Sequence, residues 1–576
     1  MEYKTKERNI QLVIELLKAH GIKKVVASPG ATNMSMVSCM QQDGSFEIYS
    51  SVDERSAAYI ACGMAAESGE TVVLSCTGAT ASRNYYPGLT EAYYRKLPII
   101  AITSSQSNSF KGHLYQQLTD RSKYPSDIFI AGEQIQYIKD EVDYWDCENK
   151  INRMILECRR HGGGPVHLNV TNNRHDVSFR RLDAPRVIKR VTVNDSFPQL
   201  PEGKTGIWIT SHHPFSENEQ KSIDKFCACY DAVVLCDHTS NYYGKYRVDY
   251  ALIGSQKSHA YELANFDLLI HIGDMTGDYP TSRSVHGKQI WRVSEDGEIR
   301  VKLDVLDYIF EMSPSFFFMN YVQKDFQPRD GQIRIFRQVY KDLYESIPDT
   351  LPFSNVWVAK TLSAQLPKNS VVHLGILNSL RSWNLFRLPD GVMSNSNVGG
   401  FGIDGCLSSM IGASFVNRNK IFYGIVGDLA FFYDINSLGN RHIGNNIRIV
   451  LVNNGLGGEF KLYPNPQNIN RDNYICAAGH YGNKSQTLVK HFSEDLGFEY
   501  MSASNKEELL SLLPRFTRDN IDGKPMLLEI FEDINNQKQA LDIMYHLAEG
   551  SMKEKVASKA EEILKSKFSA VKKLLK

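Results

Sequence analysis

Two short runs in the last third of the chain have the residue types that hold a metal-bound phosphate. Gly427-Asp428 follows the strand-like run KIFYGIV, and Asn453-Asn454 ends the strand-like run IRIVLV. A helix-like stretch lies between them, so both pairs are expected at the carboxyl edge of a parallel sheet, where ligands bind in such folds. An Asp carboxylate and an Asn side-chain oxygen are hard donors suited to Mg²⁺, or to Ca²⁺ or Mn²⁺, and such an ion leaves coordination positions for phosphate oxygens. The helix start after Asp428 adds backbone N–H groups for an anion. A second acidic residue of interest, Glu54, stands in SVDERSAAYIACGMA, at the head of an alanine-rich helix. Taken alone, a carboxylate there would be read as a residue favoured by the helix dipole.

The elements that must position these residues follow from the alternation of apolar runs. IKKVVASPG, FEIYSSVDE, TVVLSCT, PIIAITSS and GPVHLNVT are short β-branched runs separated by helical stretches. That pattern predicts a parallel, doubly wound sheet. GIWIT, AVVLCD, FDLLIHIG and KQIWRVS repeat it, as do SVVHLG, KIFYGIVGD, IRIVLVNN and PMLLEIFE. The expected fold class is therefore α/β, with three doubly wound parallel-sheet domains and a C-terminal helix. The expected boundaries are 1–180, 190–345, 350–540 and a basic amphipathic tail over 541–576. In the tail, Val556, Ile563, Val571 and Leu574 share one helical face. A helix packed on its own subunit is the first reading, and a partner or membrane-surface helix the second.

At 576 residues the chain exceeds what one hydrophobic core serves. Apolar residues make up 42% and charged residues 23%, and 65 basic residues balance 65 acidic ones. No global field favours nucleic acid or an anionic membrane. No stretch reaches the roughly 18 uncharged apolar residues of a membrane span, and the N-terminus, interrupted by Arg8 and Glu15, does not read as a signal peptide. The ten cysteines form no CxxC pair, so they are expected to be reduced, buried thiols of a cytoplasmic protein.

Gly-Asp, a spacer, then Asn-Asn resembles the diphosphate-binding motif of thiamine-diphosphate enzymes. More specifically, the chain resembles the 2-succinyl-5-enolpyruvyl-6-hydroxy-3-cyclohexene-1-carboxylate synthases of menaquinone synthesis, which have Leu after the Asp, as Leu429 stands here. The spacer of 23 residues between Leu429 and Asn453 is about one residue short of that family's usual range. The SVDERSAAYIACGMA segment resembles the one that carries the family's catalytic Glu, which places that role on Glu54. A carboxyl against the pyrimidine N1′ favours the coenzyme's imino form, which lets the thiazolium carbon become a nucleophile and electron sink. An apolar setting would help that Glu share a proton.

CTGATASRNYYPGLTEAYYRK resembles the family's CTSGTAxANYYPAxxEA, including Asn84, Tyr85, Tyr86 and Pro87, and NVGGFGIDGCLSS resembles NRGxxGIDGxxS. By these matches Thr80, Asn84, Ile403, Gly427, Leu429 and Ala430 join Glu54, Asp428 and Asn454 around the coenzyme. Ile403 would be the apolar wedge that bends it, and the Leu456 carbonyl would join Asp428 and Asn454 at the metal. YQQLTD resembles NQxID, which places Gln117 against substrate. The resemblance covers roughly residues 10–175 and 350–535. It implies thiamine diphosphate, Mg²⁺, and a homodimer or homotetramer with active sites at the interface.

The departures concern substrate. The family's two substrates, 2-oxoglutarate and isochorismate, are anionic, and paired Arg–carboxylate contacts suit them. Thr32 stands where the SPGSRS loop has Arg, Ser104-Ser105-Gln106-Ser107 replaces ADRP, and Val398 replaces the Arg of NRG. Trp383 stands at the Arg of NSxxxR, with Arg381 two residues away, and Thr276-Gly277-Asp278-Tyr279 replaces TGKR. A buried carboxylate with no cation is costly. The expected donor is therefore a pyruvate-like 2-oxo acid, beside Trp383 and Val398, and the expected acceptor a neutral aldehyde or ketone, such as a sugar, met by Thr32, Asn33, Gln106 and Asp278. The alternatives are a simple decarboxylase, the synthase reaction itself, and a non-catalytic coenzyme-binding protein. The decarboxylases' His-His pair is missing, with His113 followed by Leu114. A flavin reading is disfavoured because no strand of the middle segment is followed by GxGxxG.

Overall fold

The computed structural model describes residues 5, 7–28, 30–111, 123–172, 184–256, 263–300, 306–462 and 485–549. The Gln117 expectation and the basic C-terminal helix lie outside the described residues. The chain forms two compact units, the first of residues 1–195, 297–302 and 306–309, and the second of the remainder.

The first unit contains β1 (Lys24–Ala27), β2 (Glu47–Ser50), β3 (Val72–Thr77), β4 (Ile99–Ser105), β5 (Ala131–Ile135) and β6 (Val166–Thr171). They form a sheet in the order β2-β1-β3-β4-β6-β5, all pairs parallel. β3 reads VVLSCT and β4 IIAITSS, nearly or wholly buried along their lengths, as strands covered by helices on both faces must be. Strand β7 (Lys189–Thr192) also belongs to this unit.

The second unit carries two further sheets. One is built on β8 (Thr205–Ile209), β9 (Val233–Cys236), β10 (Arg247–Asp249), β11 (Asn265–Ile272) and β12 (His286–Ser294), in the order β10-β9-β8-β11-β12. It is followed by β13 (Tyr308–Glu311). The other contains β14 (Ser370–Leu374), β15 (Met393–Ser396), β16 (Ile421–Gly427), β17 (Ile447–Asn453), β18 (Glu499–Ala503) and β19 (Met526–Phe531), in the order β15-β14-β16-β17-β19-β18. Numbered within its own sheet, that order is 2-1-3-4-6-5, the same as in the first unit. Each sheet therefore reverses its winding between its first and third strands, and the crevice beyond the carboxyl ends at such a point is where open α/β sheets bind ligands. The α/β class read from the alternation is the class observed.

His271 on β11 shows how the second unit handles a buried imidazole. Arg292 donates from Nη1 toward its Nδ1 over 3.3 Å, while Nε2 lies 3.2 Å from Thr210 Oγ1. Burial, helped by the Arg292 charge, lowers its pKa from 6.5 to about 3. Between those values the unfolded chain binds the proton that the folded chain refuses, so this contribution is intact above pH 6.5 and is lost as the pH falls toward 3. His271→Gln is expected to flatten the rise of unfolding free energy between pH 4 and 6 by about 1 kcal/mol per pH unit, readable from urea melts across that range.

Candidate coenzyme site

In the first unit, Glu54 is the first residue of the helix Glu54–Ser68. Asp53 caps that helix, its carboxylate accepting from the backbone N–H of Arg55 at 2.8 Å and of Ser56 at 3.4 Å, a cap worth about 1 kcal/mol. Ala57, Ala58 and Ala61 are fully buried, and these small side chains let a second helix, Tyr86–Tyr94, come close. A Cβ added to Gly88 would stand 2.5 Å from Ala58 Cβ and 2.9 Å from its carbonyl carbon. The Cys62 thiol also donates to the Gly88 carbonyl at 3.2 Å. Gly88→Val must therefore push the two helices apart, at an expected cost of about 1–3 kcal/mol, readable as a lowered melting temperature.

The short helix Thr80–Asn84 leaves β3 through Ala79, at φ 59 and ψ −131, a left-handed conformation that costs a non-glycine residue about 1–3 kcal/mol. Asn84 ends this helix and donates through Nδ2 to Glu54 Oε2 at 3.4 Å. The neighbouring Tyr85 is fully buried. Burial raises its phenol well above the usual value, and the Glu54 charge pushes the same way. Glu54 itself is half-buried, so the first unit's own residues do not supply the full apolar enclosure expected for it.

Thr32 and Asn33, expected at substrate, are nearly inaccessible and are used internally. Thr32 Oγ1 donates to the Ser104 carbonyl at 2.9 Å and also contacts the Thr77 hydroxyl. Asn33 Nδ2 donates to the Ser28 carbonyl at 3.0 Å. Thr32 thus ties the loop after β1 to the ends of β3 and β4, while Asn33 bonds back to the start of that loop and to Ser75 within β3.

In the second unit, β16 and β17 pair in register from Phe422↔Ile447 to Gly427↔Val452. That register brings Gly427-Asp428 and Asn453-Asn454 to the same sheet edge. Asp428 opens a six-residue helix that includes Leu429 and Ala430. Its Oδ1 accepts from its neighbour's backbone N–H, that of Leu429, at 2.7 Å. Burial raises its pKa to about 6, against the pull of backbone N–H donors that include Gly455 and Leu456. A carboxylate so poorly solvated, and met by dipoles alone among the causes of its shift, is chemically suited to a divalent cation. Asn454 Oδ1 accepts from the Leu456 N–H at 3.2 Å. No group of three or more His, Cys, Asp or Glu side chains is placed to hold a metal among the described residues, so the candidate donors are the Asp428 and Asn454 oxygens and the Leu456 carbonyl.

Glu532 was missed in the sequence. Its Oε1 accepts from Asn454 Nδ2 at 3.2 Å and its Oε2 from the Asn355 backbone N–H at 2.7 Å. Burial raises its pKa to about 7, and the nearby Asp428 charge contributes. It orients Asn454 so that the amide oxygen turns the other way. The available signal was the acidic residue ending PMLLEIFE, because Asn453 pairs with Phe531, one residue earlier.

Ile403 is partly buried against the apolar cluster that includes Leu407, Val426 and Phe431. Val398 is nearly inaccessible, and its Cγ1 would stand 3.4 Å from a Cβ at Gly277. Trp383 is wholly buried, with no partner for its indole N–H among the described residues. It acts as packing beneath the helix Asn378–Asn384. That helix starts from a second left-handed non-glycine residue, Leu377, at φ 69 and ψ −118. The strained turns at Ala79 and Leu377 thus follow the equivalent first-and-third-strand crevices of their sheets.

A family profile described as "Thiamine pyrophosphate enzyme, N-terminal TPP binding domain" matches residues 9–124. A 2-succinyl-5-enolpyruvyl-6-hydroxy-3-cyclohexene-1-carboxylate synthase of Bacteroides thetaiotaomicron is 28% identical over 94% of this chain and 98% of its own. The protein of that name in Phocaeicola vulgatus is 29% identical with the same coverage, and that of Christiangramia forsetii is 27% identical over 90% of this chain and 95% of its own. Residues 9–124 thus match the coenzyme-binding domain of thiamine pyrophosphate enzymes, and most of the chain is similar to synthases of one name.

Thiamine diphosphate accounts for features that are costly without it. The coenzyme's diphosphate, through a divalent ion, would relieve the poorly solvated Asp428, and its aminopyrimidine would give the Glu54 carboxyl a ring nitrogen to hydrogen-bond. When bound, it supplies an electron sink. Glu54 would then hold and return a proton at the pyrimidine nitrogen, while Asn84 fixes its carboxylate. Among the described residues no helix is long and apolar enough to cross a membrane. The nine described cysteines are all buried and free of disulfides.

Proposed function

We propose that this thiamine-diphosphate enzyme removes CO₂ from a 2-oxo acid and transfers the remaining acyl unit, as a carbanion equivalent, to an electrophilic carbon of a second substrate, with Mg²⁺ as the metal. The carrying observation is the Asp428–Asn454 edge together with the Glu54–Asn84 contact. The full-length similarity to the named synthases supports their reaction, from 2-oxoglutarate and isochorismate, as the first activity to assay. A second reading, with a shorter pyruvate-like donor and a neutral acceptor such as a sugar, is favoured by one specific observation: Arg381 is bound at both nitrogens by the chain's own Glu459. Self-association as a homodimer or homotetramer fits the exposed apolar side chains of Val52, Tyr59 and Ile60 beside Glu54.

The deciding experiment measures CO₂ release from 2-oxoglutarate and from pyruvate, each with and without isochorismate or simple aldehydes and sugars. Best turnover of 2-oxoglutarate with isochorismate establishes the synthase reaction and removes the shorter-donor reading. Best turnover of pyruvate does the reverse, and acetaldehyde as the sole product would replace ligation by simple decarboxylation.

A further inference from the structure

The geometry points to Glu459 as a specificity residue that occupies Arg381 and so keeps 2-oxo diacids from binding as donors. This rests on the shorter-donor reading. The helix Asn378–Asn384 leaves β14 at the first-and-third-strand crevice of its sheet, and places Arg381 at the same edge as Asp428. Two hydrogen bonds from Gln537 Nε2, to Asn378 Oδ1 and Ser382 Oγ, each 3.0 Å, pin the helix. Glu459 lies five residues beyond Asn454, at the start of the next short helix.

Arg381 Nη1 donates to Glu459 Oε2 at 3.0 Å and Nη2 to Oε1 at 2.6 Å. This is the fork geometry with which arginine holds a substrate carboxylate. The two side chains are only 11% and 12% exposed, so the pair is screened far less than a surface ion pair and is not readily exchanged for a solute. The local balance is acidic. The buried Tyr545 phenol lies within electrostatic range of Arg381, Asp278 and Glu459, so two carboxylates and one guanidinium gather around it. The turn that carries Asp278 packs on the Arg381 helix, because a Cβ at Gly277 would collide with Leu380. A second carboxylate on the donor would meet an arginine already matched and two like charges, whereas a methyl group meets neither obstacle.

The test compares Glu459→Gln, Glu459→Ala and the pair Arg381→Ala with Glu459→Gln, in protein loaded with thiamine diphosphate and Mg²⁺. One readout is the ratio of kcat/KM for 2-oxoglutarate to that for pyruvate. The other is calorimetric binding of glutarate, a dicarboxylate with no reactive carbonyl. The expected result is a rise of about ten-fold or more in the ratio for both single variants, glutarate binding gained in Glu459→Ala, and both gains lost in the double variant. An unchanged ratio and no glutarate binding in folded single variants overturns the role of Glu459 while leaving a pyruvate preference of the wild type, and the donor reading, intact. A wild type that prefers 2-oxoglutarate removes the donor reading itself. If the Glu459 variants do not fold, Arg381→Ala alone decides: the assignment expects it to leave the donor ratio unchanged, and a fall in 2-oxoglutarate use would show Arg381 already serving substrate.

Discussion

Glu54→Gln is expected to leave coenzyme binding nearly intact while lowering turnover by about 10²–10⁴-fold, the usual weight of a positioned proton-transfer group. Gln matches Glu in size and retains an oxygen for Asn84 Nδ2, which lies 3.4 Å from Glu54 Oε2. The Asp53 cap and the buried Ala57, Ala58 and Ala61 do not involve the Glu54 carboxyl, so the helix should hold its place. What is lost is a group able to share a proton with the pyrimidine ring. Exchange of the thiazolium C2 proton, followed by NMR in deuterated buffer, isolates that step from everything after it. Slow exchange with normal affinity is the expected outcome. Unchanged exchange would remove Glu54 from its assigned role.

Asp428→Ala should have the opposite signature, with coenzyme affinity falling on the order of 100-fold and recovering only in part at high metal. The apo protein should not suffer in parallel. Burial raises the Asp428 pKa to about 6, above the ordinary 3.8. A group so raised contributes most when protonated, and that contribution is lost as the pH rises through 6. At pH 7 the metal-free protein therefore carries an ionised carboxylate it holds poorly. Asp428→Asn keeps an oxygen for the Leu429 N–H and removes the charge, so it should stabilise the apo protein by about 1–3 kcal/mol. It should also abolish most of the melting-temperature gain that thiamine diphosphate and Mg²⁺ confer on the wild type. A variant less stable without ligands and still strongly stabilised by them would contradict the metal assignment.

The first and third sheets were legible because their inner strands are buried on both faces and read as continuous β-branched runs, as in IRIVLVN of β17. The strands that escaped were largely edges. β15 reads MSNS, β18 EYMSA and β5 AGEQI, each at the end of its sheet. With one neighbour and partial exposure, such strands need no apolar run. The identical order of the two sheets was hidden for the same reason, since it is visible only once the edges are placed.

Asp428, Asn454 and Glu54 could be singled out in the sequence because the pattern around each is local, at or just beyond the end of a strand. Glu532 was not, because its role arises from a neighbouring strand's register, about 78 residues from Asn454 along the chain. The internal partners of Thr32 and Asn33 were likewise invisible, since they include residues of β3 and β4. The pairing of Arg381 with Glu459 also joins segments that the sequence does not link. In each case the sequence offers a residue's type, while its availability depends on what another segment brings beside it.

The most direct measurement is calorimetric titration of metal-free protein with thiamine diphosphate, with Mg²⁺ and then with EDTA. Saturable binding that requires Mg²⁺ and is weakened by Asp428→Ala is the predicted result. Absence of binding with Mg²⁺ present, or binding indifferent both to the metal and to Asp428, would contradict the account.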